Sequence, residues 1–189
     1  MNISNKNVRK LFVLAIVGAL SLLSHVKADN LYFRLDGIEG ESSDPQHSKW
    51  IELVSFCHGA AQSDMVTVSE ENGRGVFDAF VIRHHIDKAT PKFQEACMKG
   101  MRIGTGEVHV CRSGAQSAVY KVNLEGIKVS HAVATAEKQA DGSVVTFEEV
   151  TMIVNKLVWT VTTLEQSASA DGLEPVETTG GYDTESPEE

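Results

Sequence analysis

Apolar and polar side chains alternate along several short segments of the chain, a pattern typical of strands with one buried face. The first segment is Leu31–Leu35, where leucine or phenylalanine occupies every second position. Further strands are predicted at Trp50–Ala60, Val76–Ile86, Glu107–Cys111, Ala118–Val129, Ser130–Ala136 and Val144–Thr163. The last segment is long enough for two strands or one bent strand, and many short strands of this kind suggest a sandwich or barrel.

One segment, Lys88–Gly100, has the signals of a helix instead. Thr90 is suited to the N-cap position and Pro91 to the first helical position, where its missing N–H costs nothing. The apolar residues of the segment recur at helical spacing, and Gly100 supplies a left-handed stop. A helix this short is not stable alone, so we expect it to pack against the sheet.

Polar segments and glycines separate these elements. Glu41–Lys49 contains Pro45 and is predicted as a loop, and Ser69–Gly75 and Ser113-Gly114 are predicted turns. Asp141-Gly142 is typical of a hairpin turn. From Glu165 to Glu189 the chain is acidic and poor in apolar residues, so we expect a disordered tail.

The first 28 residues have the order of a secretory signal peptide. A basic stretch precedes the apolar run Leu11–Leu23, and Val26-Lys27-Ala28 offers small residues at the cleavage site. The apolar run of about 13 residues is shorter than the roughly 17–25 that a membrane-spanning helix needs. An uncleaved membrane anchor is the alternative. The sequence therefore predicts a signal at residues 1–28, a mature chain from Asp29 without stable membrane insertion, and a secreted or periplasmic location.

The charge of the mature chain excludes one class of partner. The formal net charge is −9, and removal of the four basic residues of the signal takes it to −13. A protein this acidic repels nucleic acid, because binding there requires basic groups that displace counterions. We therefore expect no nucleic-acid partner.

The residues that could carry chemistry form no complete catalytic or metal-binding motif. His109 and Cys111 share a strand face and make half of a zinc site, but no second ligand cluster stands at the required spacing. Cys57 and His58 are neighbours on a strand, so their side chains point apart. Glu70-Glu71 and Glu148-Glu149 are typical of solvated charge.

The remaining polar residues support the same conclusion. His84 and His85 face opposite sides of their strand and cannot bind one metal together. With many apolar residues available for a core, the three cysteines are expected to be buried and outside disulfides. We expect no cofactor, no metal and no enzymatic activity.

Several stretches in order along the chain resemble the haemolysin-coregulated protein (Hcp) family of type VI secretion systems. The first is Asp36–Ser42, followed by Asp44, His47 and Trp50–Glu52. The others are Asp87–Phe93 with Ala96, Cys97 and Gly100, then Cys111–Gly114, Tyr120–Ser130 and Phe147–Trp159. The resemblance covers 31–164, which sets an expected Hcp-like domain at residues 29–164 between the signal and an acidic tail at 165–189.

The resemblance implies a mainly β fold, a small two-sheet β-barrel with one short helix, that forms a ring. Six subunits would make each ring, rings could stack into a tube, and a spike protein and small effectors would be partners. It implies that Ser55 and Cys57 face the lumen. The loop residues expected at the ring interface are Glu41, Ser42, Asp44, His47 and Trp50.

Two features depart from the family pattern. Tube proteins of this family leave the cell through the secretion machine without a signal peptide, whereas this chain has the order of one. The acidic tail would also project from an assembled surface. The alternative function is therefore an exported, periplasmic or secreted binding module with the Hcp fold that builds no tube.

Overall fold

The computed structural model describes residues 29–62, 75–112, 118–166 and 173–184. These residues form ten strands and one helix. In chain order the elements are β1 (Asn30–Leu35), β2 (Ile51–Cys57), β3 (Ala60–Gln62), β4 (Gly75–Phe77), β5 (Phe80–His84), α1 (Thr90–Lys99), β6 (Arg102–Cys111), β7 (Tyr120–Lys138), β8 (Val144–Ile153), β9 (Lys156–Gln166) and β10 (Leu173–Asp183). The predicted signal peptide and the predicted turns at Ser69–Gly75 and Ser113-Gly114 lie wholly or largely outside the described residues.

Six of the strands close into a barrel. They follow one another as β7, β6, β1, β2, β5 and β8, and β8 pairs again with β7 to complete the circle. All of these pairings are antiparallel. β9 and β10 extend the same sheet, while β3 and β4 form a separate two-stranded sheet. The expected two-sheet β-barrel with one short helix is confirmed.

Strand β7 makes closure possible because it is 19 residues long. Its first part pairs with β9 from Tyr120 to Glu125, and its second part pairs with β8 from Lys128 to Lys138. The strand changes direction between these parts, where Gly126 has φ +64° and a bulge lies between Val129 and His131. Bulges and glycines of this kind bend a sheet towards closure. The sequence predicts two strands here, and the structure joins them into one.

The barrel encloses one hydrophobic core to which α1 adds its apolar face. Phe93 is fully buried and Ala96 is 2% exposed, as the helical spacing predicts. The helix ends at Gly100 with φ 60°, which confirms the predicted stop. The expected N-cap is wrong. Thr90 lies inside the first turn, and the Asp87 carboxylate accepts the Ala89 N–H at 2.8 Å before the helix begins.

The C-terminal segment also differs from the sequence prediction of disorder. β9 continues to Gln166, and β10 pairs with it in register from Leu173 to Asp183. The segment has few apolar residues, but its backbone groups pair along the whole of β9, and Gly180 lies against the Trp159 ring. A cross-strand partner supplies the order that composition alone does not indicate.

Candidate functional site

Strand β2 carries the two residues expected to face a lumen, and a β-bulge decides where they point. Its pairing with β5 shifts between Leu53 and Ser55. Before the bulge, Leu53 faces the core, whereas after it Phe56 packs on the core while Ser55 and Cys57 are exposed on the outer wall. Strict alternation would put Leu53, Ser55 and Cys57 on one face, and the structure separates Leu53 from the other two. The extra residue of a bulge reverses the alternation. That Ser55 and Cys57 face the lumen of a ring stays a prediction.

The loop that joins β1 to β2 is closed at its base by backbone hydrogen bonds. The Gly40 N–H donates to the Lys49 carbonyl at 2.8 Å, and the Ser42 N–H donates to the Trp50 carbonyl at 3.0 Å. Gly40 is required at this crossing, since a Cβ there would lie 2.4 Å from the Trp50 carbonyl oxygen. The base of the loop is therefore held by the same backbone pairing that leads into β2.

This loop folds back on the outer wall of the barrel. The imidazole of His47 stacks on Tyr32 of β1, with ring centroids 4.1 Å apart and planes within 5°. Trp50 meets His47 edge-on at 4.9 Å and lies 4.8 Å from His109 of β6. Tyr32 and His47 are only 4% and 5% exposed. We call Tyr32, Asp44, His47, Trp50, Glu107, His109 and Cys111 the outer cluster.

A chain of hydrogen bonds runs through the outer cluster. His47 Nδ1 lies 2.9 Å from Asp44 Oδ1, and His47 Nε2 lies 2.9 Å from His109 Nδ1. His109 Nε2 lies 2.7 Å from Glu107 Oε1. Two imidazoles in contact are thus flanked by a carboxylate at each end. The Cys111 Sγ lies 3.8 Å from the same His47 nitrogen.

Burial and hydrogen bonding shift the pKa values of three side chains in the outer cluster. The hydrogen bond from His47 lowers the pKa of Asp44, which keeps this carboxylate ionised. Burial lowers the pKa of His109, although its hydrogen bond to Glu107 acts in the opposite direction. Burial also raises the pKa of Tyr32. Together the shifts favour ionised Asp44 and neutral His109.

Arg34 connects the outer cluster to solvent. Its guanidinium donates to the Glu107 carboxylate at 2.9 Å and lies over the Trp50 ring, 5.4 Å from the centroid. The side chain is 56% exposed, so the ion pair contributes little to stability. Its effect is to orient Glu107 towards His109.

The residues expected in the ring-interface loop therefore separate into two groups. Glu41 is exposed on the surface. Ser42 and His47 are buried, while Asp44 and Trp50 are partly covered and point into the outer cluster. Of the five, Glu41 has the most freely accessible side chain. The sequence indicated the loop but not its docking, because His47 and His109 are 62 positions apart.

The structure also shows where the candidate metal ligands and the candidate catalytic pair Cys57 and His58 lie. His47 comes close to His109 and Cys111, yet no three His, Cys, Asp or Glu side chains among the described residues are arranged to hold a metal ion. Cys57 is exposed and His58 is turned inward to Tyr120, 2.9 Å from its hydroxyl. The expectation of a buried thiol is therefore wrong for Cys57. None of the three cysteines forms a disulfide.

A second polar pair lies inside the barrel, where the sequence predicts solvated charge. Glu148 is fully buried and accepts a hydrogen bond from His84 Nε2 at 3.0 Å. Only its neighbour Glu149 is exposed. The prediction was wrong for Glu148 because a strand places adjacent residues on opposite faces. His84 and His85 do face opposite sides, as predicted.

The fold and this surface define a small closed β-barrel with one packed helix and an ordered loop on its outer wall. The family model described as "Type VI secretion system effector, Hcp" matches residues 32–161. The chain belongs to the Hcp family of type VI secretion system effectors. No curated protein matches the chain significantly.

Solved structures of Hcp proteins have the same fold. Hcp1 from Salmonella typhimurium is 22% identical with a TM-score of 0.66, over 83% of this chain and 95% of that one. A type VI secretion system effector from Yersinia pestis is 18% identical with a TM-score of 0.61, over 81% and 98% of the two chains. The secreted protein Hcp3 from Pseudomonas aeruginosa is 19% identical with a TM-score of 0.59, over 84% and 100%.

Among the described residues, α1 is the one helix, and its ten residues are too few to cross a membrane.

Proposed function

We propose that this protein is a self-assembling subunit of the type VI secretion tube kind, which forms a six-membered ring and carries small effectors in the ring lumen. The single observation that carries the proposal is the family match over residues 32–161, which includes five strands of the closed barrel and most of β1. Type VI proteins of this family form rings, which supports self-association of this chain. The role is structural and requires no catalytic group.

A cyclic ring needs two different patches on each subunit, because every contact is heterologous. We assign two patches of the described outer wall, one to the ring contact and one to the lumen. The contact patch is the ordered loop with exposed Glu41 at its edge, held in place by the outer cluster, and it meets a different surface of the next subunit. The lumen patch is the exposed wall of β2, which carries Ser55 and Cys57. In the proposed ring the loop meets the next subunit, and the β2 wall lines the lumen.

Small side chains suit a lumen wall. Ser55 and Cys57 offer no bulk, and their pairing partners on β5 are Arg83 and Val81. Arg83 stacks on Phe147 at 4.1 Å, which places its charge on the wall beside Ser55. Effectors bound there would meet a mixed surface of small, apolar and cationic groups.

The mass of the purified protein in solution tests the ring. Size-exclusion chromatography with light scattering should give six times the subunit mass at micromolar concentration. A monomer under these conditions would contradict the proposal.

A charge reversal tests whether the loop is the interface. Glu41→Lys changes an exposed residue of the loop and should reduce the six-subunit species to monomers. Glu137→Lys makes the same change on exposed β7, outside both patches, and should leave the ring intact. Equal effects of the two variants would show that net charge, and not the loop, controls assembly.

The alternative role, an exported binding module without a tube, is favoured by the signal-like order of residues 1–28. The location of the protein separates the two roles. Processed protein in the periplasm of cells that lack a type VI machine favours the binding module. Release that depends on the machine favours the tube role.

A further inference from the structure

The contact between His47 and His109 fixes the number of protons that the two rings share. Ionised Asp44 and Glu107 can only accept hydrogen bonds, so His47 Nδ1 and His109 Nε2 must each carry a proton. The 2.9 Å contact between the remaining nitrogens needs one proton more. Three protons on four nitrogens give one neutral ring and one imidazolium.

Both neighbouring protonation states break a hydrogen bond of the chain that joins Asp44, His47, His109 and Glu107. With a fourth proton, two N–H groups and two positive charges face each other at 2.9 Å. With only two protons, either two bare nitrogens face each other or one ring turns a bare nitrogen towards its carboxylate, so one of the three hydrogen bonds is lost. All three hydrogen bonds are therefore made together only when the two rings share three protons.

We propose that His47 and His109 form a proton-sharing latch that holds the β1–β2 loop against β6 only at intermediate pH. When the pair gains or loses a proton, the loop leaves the outer wall. His47 belongs to the loop and His109 to the strand, so their contact links the two elements, together with the weaker contact of Cys111 Sγ with His47 Nε2 at 3.8 Å. The Tyr32 stack supplies apolar contact but no charge that could replace the shared proton.

The groups around the pair favour the state with one positive charge. Desolvation by burial opposes a second charge, and it lowers the pKa of His109. Three titratable groups face the pair from its own elements, namely Asp44 on the loop and Glu107 and Cys111 on β6. The neighbouring strands add Tyr32 and Arg34 on β1, Glu52 on β2 and Lys121 on β7.

The consequence for assembly rests on the proposed function. If the docked loop is the ring interface, release of the loop removes one of the two patches that each contact needs. Rings should then be stable in a pH window and dissociate on both sides of it. The latch itself does not depend on assembly, so the two can be measured separately.

Trp50 reports the latch directly, because it contacts both imidazoles. In a Trp159→Phe background, Trp50 is the only tryptophan of the chain. Its emission should move to longer wavelength on acidification and again at high pH, as the loop exposes the ring to water. An emission shift at only acidic or only high pH, or no shift between pH 4 and 9, would overturn the latch.

Two variants distinguish a shared proton from ordinary unfolding in acid. In His109→Gln, the amide oxygen can accept from protonated His47, and no second charge can form. The acid midpoint of the Trp50 shift should fall by about one pH unit or more. His47→Gln should do the same if its loop still docks. His131→Gln, an exposed control, should leave the midpoint unchanged. Identical midpoints in wild type and His109→Gln would overturn the proposal.

Light scattering on the same samples separates the latch from the ring. If the six-subunit mass is lost at the Trp50 midpoint, and His109→Gln moves both together, the regulation of assembly is supported. If rings persist after Trp50 reports release, that regulation is overturned while the ring stands. A monomer at every pH overturns the proposed ring, and the Trp50 shift then decides the latch alone.

Discussion

His84 and Glu148 lie face to face inside the barrel, with the imidazole Nε2 3.0 Å from a carboxylate oxygen and neither side chain exposed. Gln94 of α1 donates to the other carboxylate oxygen at 3.5 Å, and Phe93 packs against the His84 ring. The pair therefore joins β5, β8 and the helix.

Replacing one member of this buried pair should lower the free energy of unfolding more than replacing both. Glu148→Leu leaves the His84 imidazole without its partner and should lower the free energy of unfolding by about 3–5 kcal/mol. The double variant His84→Leu/Glu148→Leu should recover most of that loss. Urea denaturation measures both.

The neighbouring Glu149→Leu is the control for this cycle, since its side chain is exposed and its effect should stay within about 0.5 kcal/mol. Additive losses in the double variant would contradict a coupled pair.

Gly40 and Gly37 flank the start of the loop, and alanine should act very differently at the two positions. At Gly40 a Cβ would lie 2.4 Å from the Trp50 carbonyl oxygen and 2.5 Å from the Ile51 Cα. Because both are backbone atoms, Gly40→Ala should open the loop. Gly37 has φ +78° and open space around it, so Gly37→Ala should cost only about 1–2 kcal/mol.

Trp50 fluorescence and thermal unfolding distinguish the two glycine variants. In the Trp159→Phe background, where Trp50 is the only tryptophan, we expect the Gly40→Ala protein to show an exposed Trp50 even where the barrel remains folded. Native emission from that variant would mean that the loop base can adjust.

The packing of Trp159 on Gly180 should determine whether β10 stays on the sheet. A Cβ at Gly180 would come within 2.6 Å of the indole Nε1. Gly180→Ala should therefore weaken the pairing of β10 with β9. We expect the free energy of local opening of β10 to fall by about 1–3 kcal/mol. Hydrogen exchange of the β10 amides should speed up while that of β1 and β6 does not.

A smaller side chain at position 159 should rescue the Gly180→Ala variant. In Gly180→Ala/Trp159→Leu the added methyl has room, so β10 protection should return towards that of Trp159→Leu alone. Without such a rescue, the steric explanation fails.

His58 should make the protein sensitive to mild acid. Burial among aromatic rings lowers its pKa below the ordinary value of 6.5, because the charged form is disfavoured in the folded barrel. Above about pH 6.5, His58 is neutral in both the folded and the unfolded protein. As the pH falls below this value, the unfolded chain binds the proton more readily, so the free energy of unfolding decreases. His58→Phe removes this dependence, together with the hydrogen bond to Tyr120, which costs about 1 kcal/mol at every pH.

Denaturation curves between pH 5 and pH 8 test the role of His58. The stability of His58→Phe relative to wild type should rise as the pH falls and stay level above pH 7. His131→Phe changes an exposed histidine and should give a flat difference. Since the outer cluster is unchanged in each variant, its own titration cancels from the comparison.

The sequence by itself determined the local elements. Period-2 alternation located β1, β6 and β8, and proline and glycine located α1 and its left-handed end. These signals are local, since each depends on residues a few positions apart. The family resemblance rested on the same local motifs.

Only the tertiary structure decided the features that depend on distant partners. The bulge in β2 reverses the faces of Ser55 and Cys57, and no alternation pattern contains it. Glu148 is buried because His84 meets it from 64 positions away. His47 looked like a surface loop residue, yet it docks on His109. Such contacts form only when the barrel closes, because closure sets which outer and inner faces meet.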